Sequence, residues 1–121
     1  MTKTVLTVDD SKAIRDMIAF TLQPQGYRVI AAADGAEGLA LFRREAVNLV
    51  ITDLNMPGMN GMDLIRHLRA EPRGAGVPIV MLTTETKPEM KAQGKAAGAT
   101  GWINKPFDAD MLLAVARKLA G

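Results

Sequence analysis

Five side chains along this sequence have the types needed to gather around a highly charged oxyanion: Asp9, Asp10, Asp53, Thr83 and Lys105. Carboxylates brought together repel one another, by roughly 4 kcal/mol per pair at about 4 Å and an effective dielectric near 20. A site that collects Asp9, Asp10 and Asp53 therefore needs a cation. With no cysteine and one histidine in the chain, the metal must be held by oxygen, and carboxylates, a backbone carbonyl and water suit Mg2+. Asp10 and Asp53 are expected to bind such an ion directly, and Asp9 mainly through water. A carboxylate beside Mg2+ can also attack phosphorus to give an acyl phosphate, and Asp53 is the best candidate. Phosphoryl transfer needs charge neutralised on the equatorial oxygens, for which Lys105 supplies a cation and Thr83 a hydroxyl. Each residue alone has a plainer reading: Asp10 or Ser11 as a helix N-cap, Lys105 as a solvated charge, Thr83 as a strand-end hydroxyl bonded to local backbone. Their order and placement along the chain decide between the two.

The elements that must position them follow from hydrophobic periodicity. Short apolar runs alternate with amphipathic helices, the pattern of a parallel sheet covered on both faces. Thr4-Val5-Leu6-Thr7-Val8 reads as the first strand. The helix after it carries Ile14, Met17, Ile18 and Leu22 at the spacing of one buried face and ends at Pro24 and Gly26. Tyr27 to Ala33 is the second strand, and Asp34 with Glu37 resembles a capping box opening a helix through Glu45. Leu49 to Thr52 runs into Asp53; a loop with Pro57, Gly58 and Gly61 then leads to a helix from Met62 to Arg69. Pro78 to Leu82 forms a fourth strand ending at Thr83 and Thr84, followed by a Lys- and Ala-rich helix toward Gly98. Gly101 to Ile103 is a short fifth strand, and Asp108 caps a last helix bearing Met111, Leu112, Val115 and Leu119. In open parallel sheets the ligand site lies at the carboxyl ends of the strands. Asp9 and Asp10, Asp53, Thr83 and Lys105 all fall there, on four separate strands.

Composition narrows the alternatives. The 121 residues, 48% hydrophobic and 23% charged, make one domain's worth of globular chain, with roughly two-thirds of its unfolded surface buried. A single domain over 1–121, without an effector domain, is expected. Absent cysteines exclude disulfides, thiol catalysis and thiolate metal sites, and one histidine excludes the usual zinc sets. The net charge is only +2, and the basic residues are dispersed without interleaved aromatics, so DNA is not expected as a partner. The sequence has no leader-like start and no stretch near about 20 apolar residues, so a cytoplasmic protein without membrane contact is expected.

The motifs resemble the receiver domain of response regulators, over essentially the whole chain from Lys3 to Leu119. Val8-Asp9-Asp10-Ser11 looks like the acidic pair, Asp53-Leu54-Asn55-Met56-Pro57-Gly58-Met59-Asn60-Gly61 like the phosphoacceptor loop, Leu82-Thr83-Thr84 like the switch hydroxyl, and Lys105-Pro106-Phe107 completes the set. The subtype it most resembles is the stand-alone chemotaxis CheY group. That resemblance implies an α/β, flavodoxin-like, doubly wound sheet of five parallel strands in the order 2-1-3-4-5, flanked by five helices. It implies a phosphoacceptor switch that catalyses its own phosphorylation and dephosphorylation, rather than an enzyme with an outside substrate. It further implies a cis bond at Lys105-Pro106, a metal-ligating backbone carbonyl at Asn55, and side chains of Asn55 and Glu85 that look over the phosphoryl group and tune its loss. Two positions depart from the family pattern. Thr84 replaces a small Ala or Ser, and Trp102 stands at the switch position where Tyr or Phe is usual, so coupling by side-chain rotation is expected to differ. A plain, partly buried strand contact is the other reading of Trp102.

A signalling switch is thus the leading expectation: a sensor histidine kinase of the CheA kind phosphorylates Asp53, Thr83 and Trp102 rearrange, and a partner binds the changed face. For a chemotaxis protein that partner is the flagellar motor switch protein, and Met90 with Lys87, Lys91, Lys95 and Trp102 resembles the family's output surface. The protein is expected to act as a monomer. A phosphate sink or phosphorelay intermediate would use the same site. An aspartyl-phosphate hydrolase would want its nucleophile after the first strand and an Asp where Asn55 stands, and a flavodoxin-like cofactor binder would want a first loop less acidic than Asp9-Asp10. His67, on a predicted exposed helix, is read as solvated.

Overall fold

A computed structural model describes residues 2–121. Among these, five strands alternate with five α-helices: β1 (Thr4–Val8), α1 (Lys12–Leu22), β2 (Arg28–Ala32), α2 (Gly35–Arg44), β3 (Leu49–Asp53), α3 (Gly61–Ala70), β4 (Ile79–Thr83), α4 (Pro88–Ala97), β5 (Gly101–Asn104) and α5 (Ala109–Leu119), with one 3-10 turn at Gln23–Gln25. All pairings are parallel, in the order β2-β1-β3-β4-β5, as the resemblance implies. The three inner strands are buried at every residue, whereas β2 and β5 at the edges are partly exposed. Inner strands of a sheet covered on both faces read as continuous apolar runs for this reason.

Alternation along the strands divides the core in two. Leu6, Val8, Val50, Ile79 and Met81 pack with Leu39 and Phe42 of α2 and Leu64, Ile65 and Leu68 of α3. Val5, Leu49, Ile51, Val80, Leu82 and Ile103 face Ile18 and Leu22 of α1 and Leu112 and Ala116 of α5. Helices thus lie on both faces, and the order reverses between β1 and β3, whose carboxyl ends carry Asp9, Asp10 and Asp53. No helix among the described residues is long and apolar enough to cross a membrane.

Helix starts were largely legible as caps. Ser11, Asp34 and Asp108 accept hydrogen bonds from the N–H groups of Ile14 (3.3 Å), Glu37 (2.8 Å) and Met111 (2.7 Å), each satisfying an otherwise orphaned donor. The third helix begins one residue earlier than expected because Asn60 caps it, its Oδ1 2.9 Å from Asp63 N. β2 is shorter than expected by one residue at each end, and Glu45 is the C-cap of α2 rather than its last helical residue. One residue placed on a buried helix face is not buried: Met17 is 47% exposed. It flanks the true buried stripe, and helical spacing alone does not separate the centre of an apolar face from its margin.

Candidate functional site

The acidic cluster is built by two strand ends. β1 delivers Asp9 and Asp10, and β3 ends on Asp53, next to β1 in the sheet. One carboxylate oxygen from each of the three lies within 4.8 Å of the others, with Asp9 and Asp53 buried and Asp10 exposed. Asp9 is held on both sides: its Oδ1 accepts from Ser11 N–H at 2.9 Å, and its backbone carbonyl accepts from Arg15 Nη1 at 2.7 Å. Lys105, following β5, is fixed by its N–H donating to the Thr83 carbonyl at 2.8 Å, and the Lys105–Pro106 bond is cis. Its ammonium lies 3.3 Å from Asp53 Oδ1 and 3.4 Å from Asp9 Oδ2. One ammonium therefore answers three carboxylates. Burial and the neighbouring Asp9 charge push the Asp53 carboxyl above the usual carboxylate range, against the opposing pull of Lys105 and a backbone hydrogen bond at Leu54. That excess of negative charge on oxygen donors, partly exposed at Asp10, fits a hard divalent cation such as Mg2+.

Thr83 ends β4, buried, and its Oγ1 accepts from Glu85 N–H at 2.9 Å. The local-backbone reading of this hydroxyl is therefore what the fold displays, yet an accepting hydroxyl still has its own proton to donate. Glu85 turns its carboxylate to the start of α4, where Oε1 accepts from Thr86 N–H (3.1 Å) and Lys87 N–H (2.9 Å), rather than looking out over Asp53. It serves as the missing cap there, because Lys87 at the N-cap position makes no side-chain capping bond. Asn55 is exposed two residues beyond the acceptor. Trp102 pairs with Met81 across β4 and β5, which puts it on the same sheet face as Thr83, toward α4. His67 is exposed on α3, as expected.

Two contributors escaped the sequence. Gly61 lies where a β-carbon would sit 2.3 Å from the Asp53 carbonyl oxygen, so the acceptor loop can close on α3 only with glycine there. The signal was present, since Gly61 stood in the acceptor motif, but the clash is a tertiary fact. Arg15 on α1, holding the Asp9 carbonyl, had no signal of its own.

The model of the response regulator receiver domain matches residues 5–117. The chain belongs to this family. This receiver is 45% identical to the Vibrio cholerae chemotaxis protein CheY4, with a TM-score of 0.95 over 98% of this chain and 99% of that one. At 26% identity and a TM-score of 0.91, it also matches the receiver domain of the sensor histidine kinase PA1611 from Pseudomonas aeruginosa over 100% of this chain and 99% of that one; that structure has a magnesium ion coordinated in the active-site cleft. Among curated proteins, the DNA-binding response regulator MtrA of Mycolicibacterium paratuberculosis is 38% identical over 97% of this chain and 51% of its own length. The receiver spans about half the length of such curated relatives.

Proposed function

We propose that this receiver takes a phosphoryl group onto Asp53 from a phosphohistidine of a sensor histidine kinase, with Mg2+ held directly by Asp10, Asp53 and the Asn55 carbonyl and by Asp9 mainly through water. The observation that carries the reading is the meeting of three carboxylates within 4.8 Å with the Lys105 ammonium 3.3 Å from Asp53. In the transfer an Asp53 oxygen forms a bond to phosphorus as the phosphorus–nitrogen bond to the donor imidazole breaks, and the imidazole departs with the electron pair. Bound Mg2+ supplies positive charge to the cluster and to the phosphoryl oxygens. Lys105, already beside Asp53, neutralises a further oxygen, and Thr83 turns its proton toward the new acyl phosphate. That turn withdraws the acceptor of the Glu85 N–H and so reaches the start of α4. Asn55 and Glu85 tune the loss of the group, Glu85 once its carboxylate leaves the start of α4.

The output we infer is chemotaxis, through phosphorylation-dependent binding to a flagellar motor switch protein. Supporting it is the 45% identity to the chemotaxis protein CheY4, against 38% to the DNA-binding regulator MtrA.

Intact mass after incubation with Mg2+ and acetyl phosphate tests the acceptor. One alkali-labile phosphoryl adduct is expected on the wild type, and none on Asp53→Asn or without Mg2+; an adduct surviving Asp53→Asn would overturn the assignment. Co-purification with a motor switch protein only in the phosphorylated state tests the output, and rapid return of phosphate to the kinase without such capture would favour a phosphate sink.

A further inference from the structure

Asp10 is the carboxylate of the acidic cluster that the fold holds least directly. Asp9 and Asp53 lie buried against the Lys105 ammonium, and Asp9 also accepts from Ser11 N–H. The Asp10 carboxylate is exposed, with no hydrogen bond or ion pair of its own among the described residues. Its direction is therefore set by the backbone that precedes it, and that backbone is fastened on both sides. Asp9 N–H donates to the Ala32 carbonyl at 3.1 Å, and the Asp9 carbonyl, part of the peptide that joins Asp9 to Asp10, accepts from Arg15 Nη1 at 2.7 Å. That carbonyl lies two residues before the Ser11 cap, outside α1 and its ladder of hydrogen bonds. Arg15 is half-buried on α1 and forms no ion pair among the described residues; this short, charge-assisted bond to backbone is the one its guanidinium makes.

We propose that Arg15 is a positioning residue for the divalent ion: by holding the Asp9–Asp10 peptide it fixes the direction of the Asp10 carboxylate, and so favours Mg2+ over Ca2+. Mg2+ demands a near-octahedral set of oxygens, whereas Ca2+ accepts an irregular one. The inference rests on the Mg2+ site proposed above. Charge and position act here with opposite sign. A guanidinium beside the cluster repels any metal ion by charge alone, so its removal would tighten both ions if charge were its only role. Groups that orient a metal ligand instead weaken binding when they are lost, and the ion with the stricter geometry suffers more.

The test uses the full chain, with Tm followed against MgCl2 or CaCl2 at constant ionic strength; the concentration dependence gives the affinity of the folded state. Arg15→Met keeps the aliphatic stem and removes donor and charge together. We expect it to bind Mg2+ about tenfold more weakly and Ca2+ as the wild type does, or more tightly. Arg15→Gln, whose amide is too short to span to the Asp9 carbonyl, should behave alike and decides the matter should Arg15→Met fail to fold. In an Asp10→Asn background the loss of Arg15 should take nothing further from Mg2+ affinity, because the ligand it positions is gone. Tighter binding of both ions would reduce Arg15 to a charge and overturn the proposal. An equal loss for both ions, or an undiminished loss in Asp10→Asn, would overturn it too and leave Arg15 a general prop of the fold. A wild type whose Tm answers to neither ion would remove the Mg2+ site itself, whereas a responsive wild type with variants unaltered would sink the role of Arg15 alone.

Discussion

At Asp53 the property that makes a good acceptor is also a cost to the fold. The carboxylate is buried beside Asp9, and its pKa is raised, chiefly by desolvation and then by that neighbour. A carboxyl with a raised folded pKa binds its proton more tightly in the folded state than in the unfolded one. Its favourable contribution is complete below the unfolded pKa and is lost as pH rises through the folded value. In the metal-free protein at neutral pH, ionised Asp53 therefore weakens the domain. Asp53→Asn removes that charge at nearly constant shape. With chelator present, we expect Asp53→Asn to be more stable than the wild type to urea at neutral pH, and the gap to narrow toward about pH 4, where protonated Asp53 resembles asparagine. Titrating groups remote from Asp53 are common to both proteins and cancel in the difference. A wild type more stable than the variant at neutral pH would show that Lys105 outweighs burial and Asp9 together.

The elements were legible to different degrees for reasons seen at single residues. Strands β1, β3 and β4 were plain because a strand buried on both faces has no polar alternation to confuse it. The site residues were plain because strand ends are positions that a period-two reading locates well. What escaped were contacts closed by the fold. Arg69 stood in the sequence only as the last residue of a predicted helix, yet its guanidinium joins three segments. Nε and Nη2 donate to the Gly98 carbonyl (3.0 and 2.7 Å), and Nη1 donates to Gly74 (2.7 Å) and Val77 (2.6 Å). The C-terminal end of α4 and the loop before β4 are thereby fastened to α3. Partial burial lowers the guanidinium pKa, but Arg remains charged and the bonds charge-assisted. Replacing Arg69 by Met keeps the aliphatic stem and leaves these carbonyls to water or to nothing. We expect a loss of about 2 kcal/mol, seen as a lower urea midpoint at unchanged slope, with faster amide exchange concentrated in α4. Arg69→Lys should not restore it, because one ammonium lacks the fork that spans separate carbonyls. Full recovery by Lys would reduce the role of Arg69 to charge alone.

Across the whole molecule, the site and the fold are one balance. Its parts come from the ends of β1, β3 and β4 and from the segment after β5, so the geometry that gathers the carboxylates exists only when the sheet is formed. An unfolded chain spreads Asp9, Asp10 and Asp53 across more than forty residues of sequence and has no preformed place for a divalent ion. A ligand that binds the folded state alone stabilises it by RT ln(1 + [L]/Kd), about 2.7 kcal/mol when the ligand stands at about 100 times its Kd. For a domain of this size that corresponds to a rise in Tm on the order of 10 °C. For magnesium that affinity draws on the relief of the repulsion that a single ammonium at 3.3 to 3.4 Å leaves unbalanced. We therefore expect Mg2+ to raise the Tm of the wild type and chelator to reverse the change. Asp10→Asn should remove most of the shift while unfolding near the metal-free wild type, since Asp10 is exposed and contributes little packing. An equal Mg2+ response in Asp10→Asn and wild type would place the ion elsewhere on the surface, and the three-carboxylate cluster would then have to be explained without it.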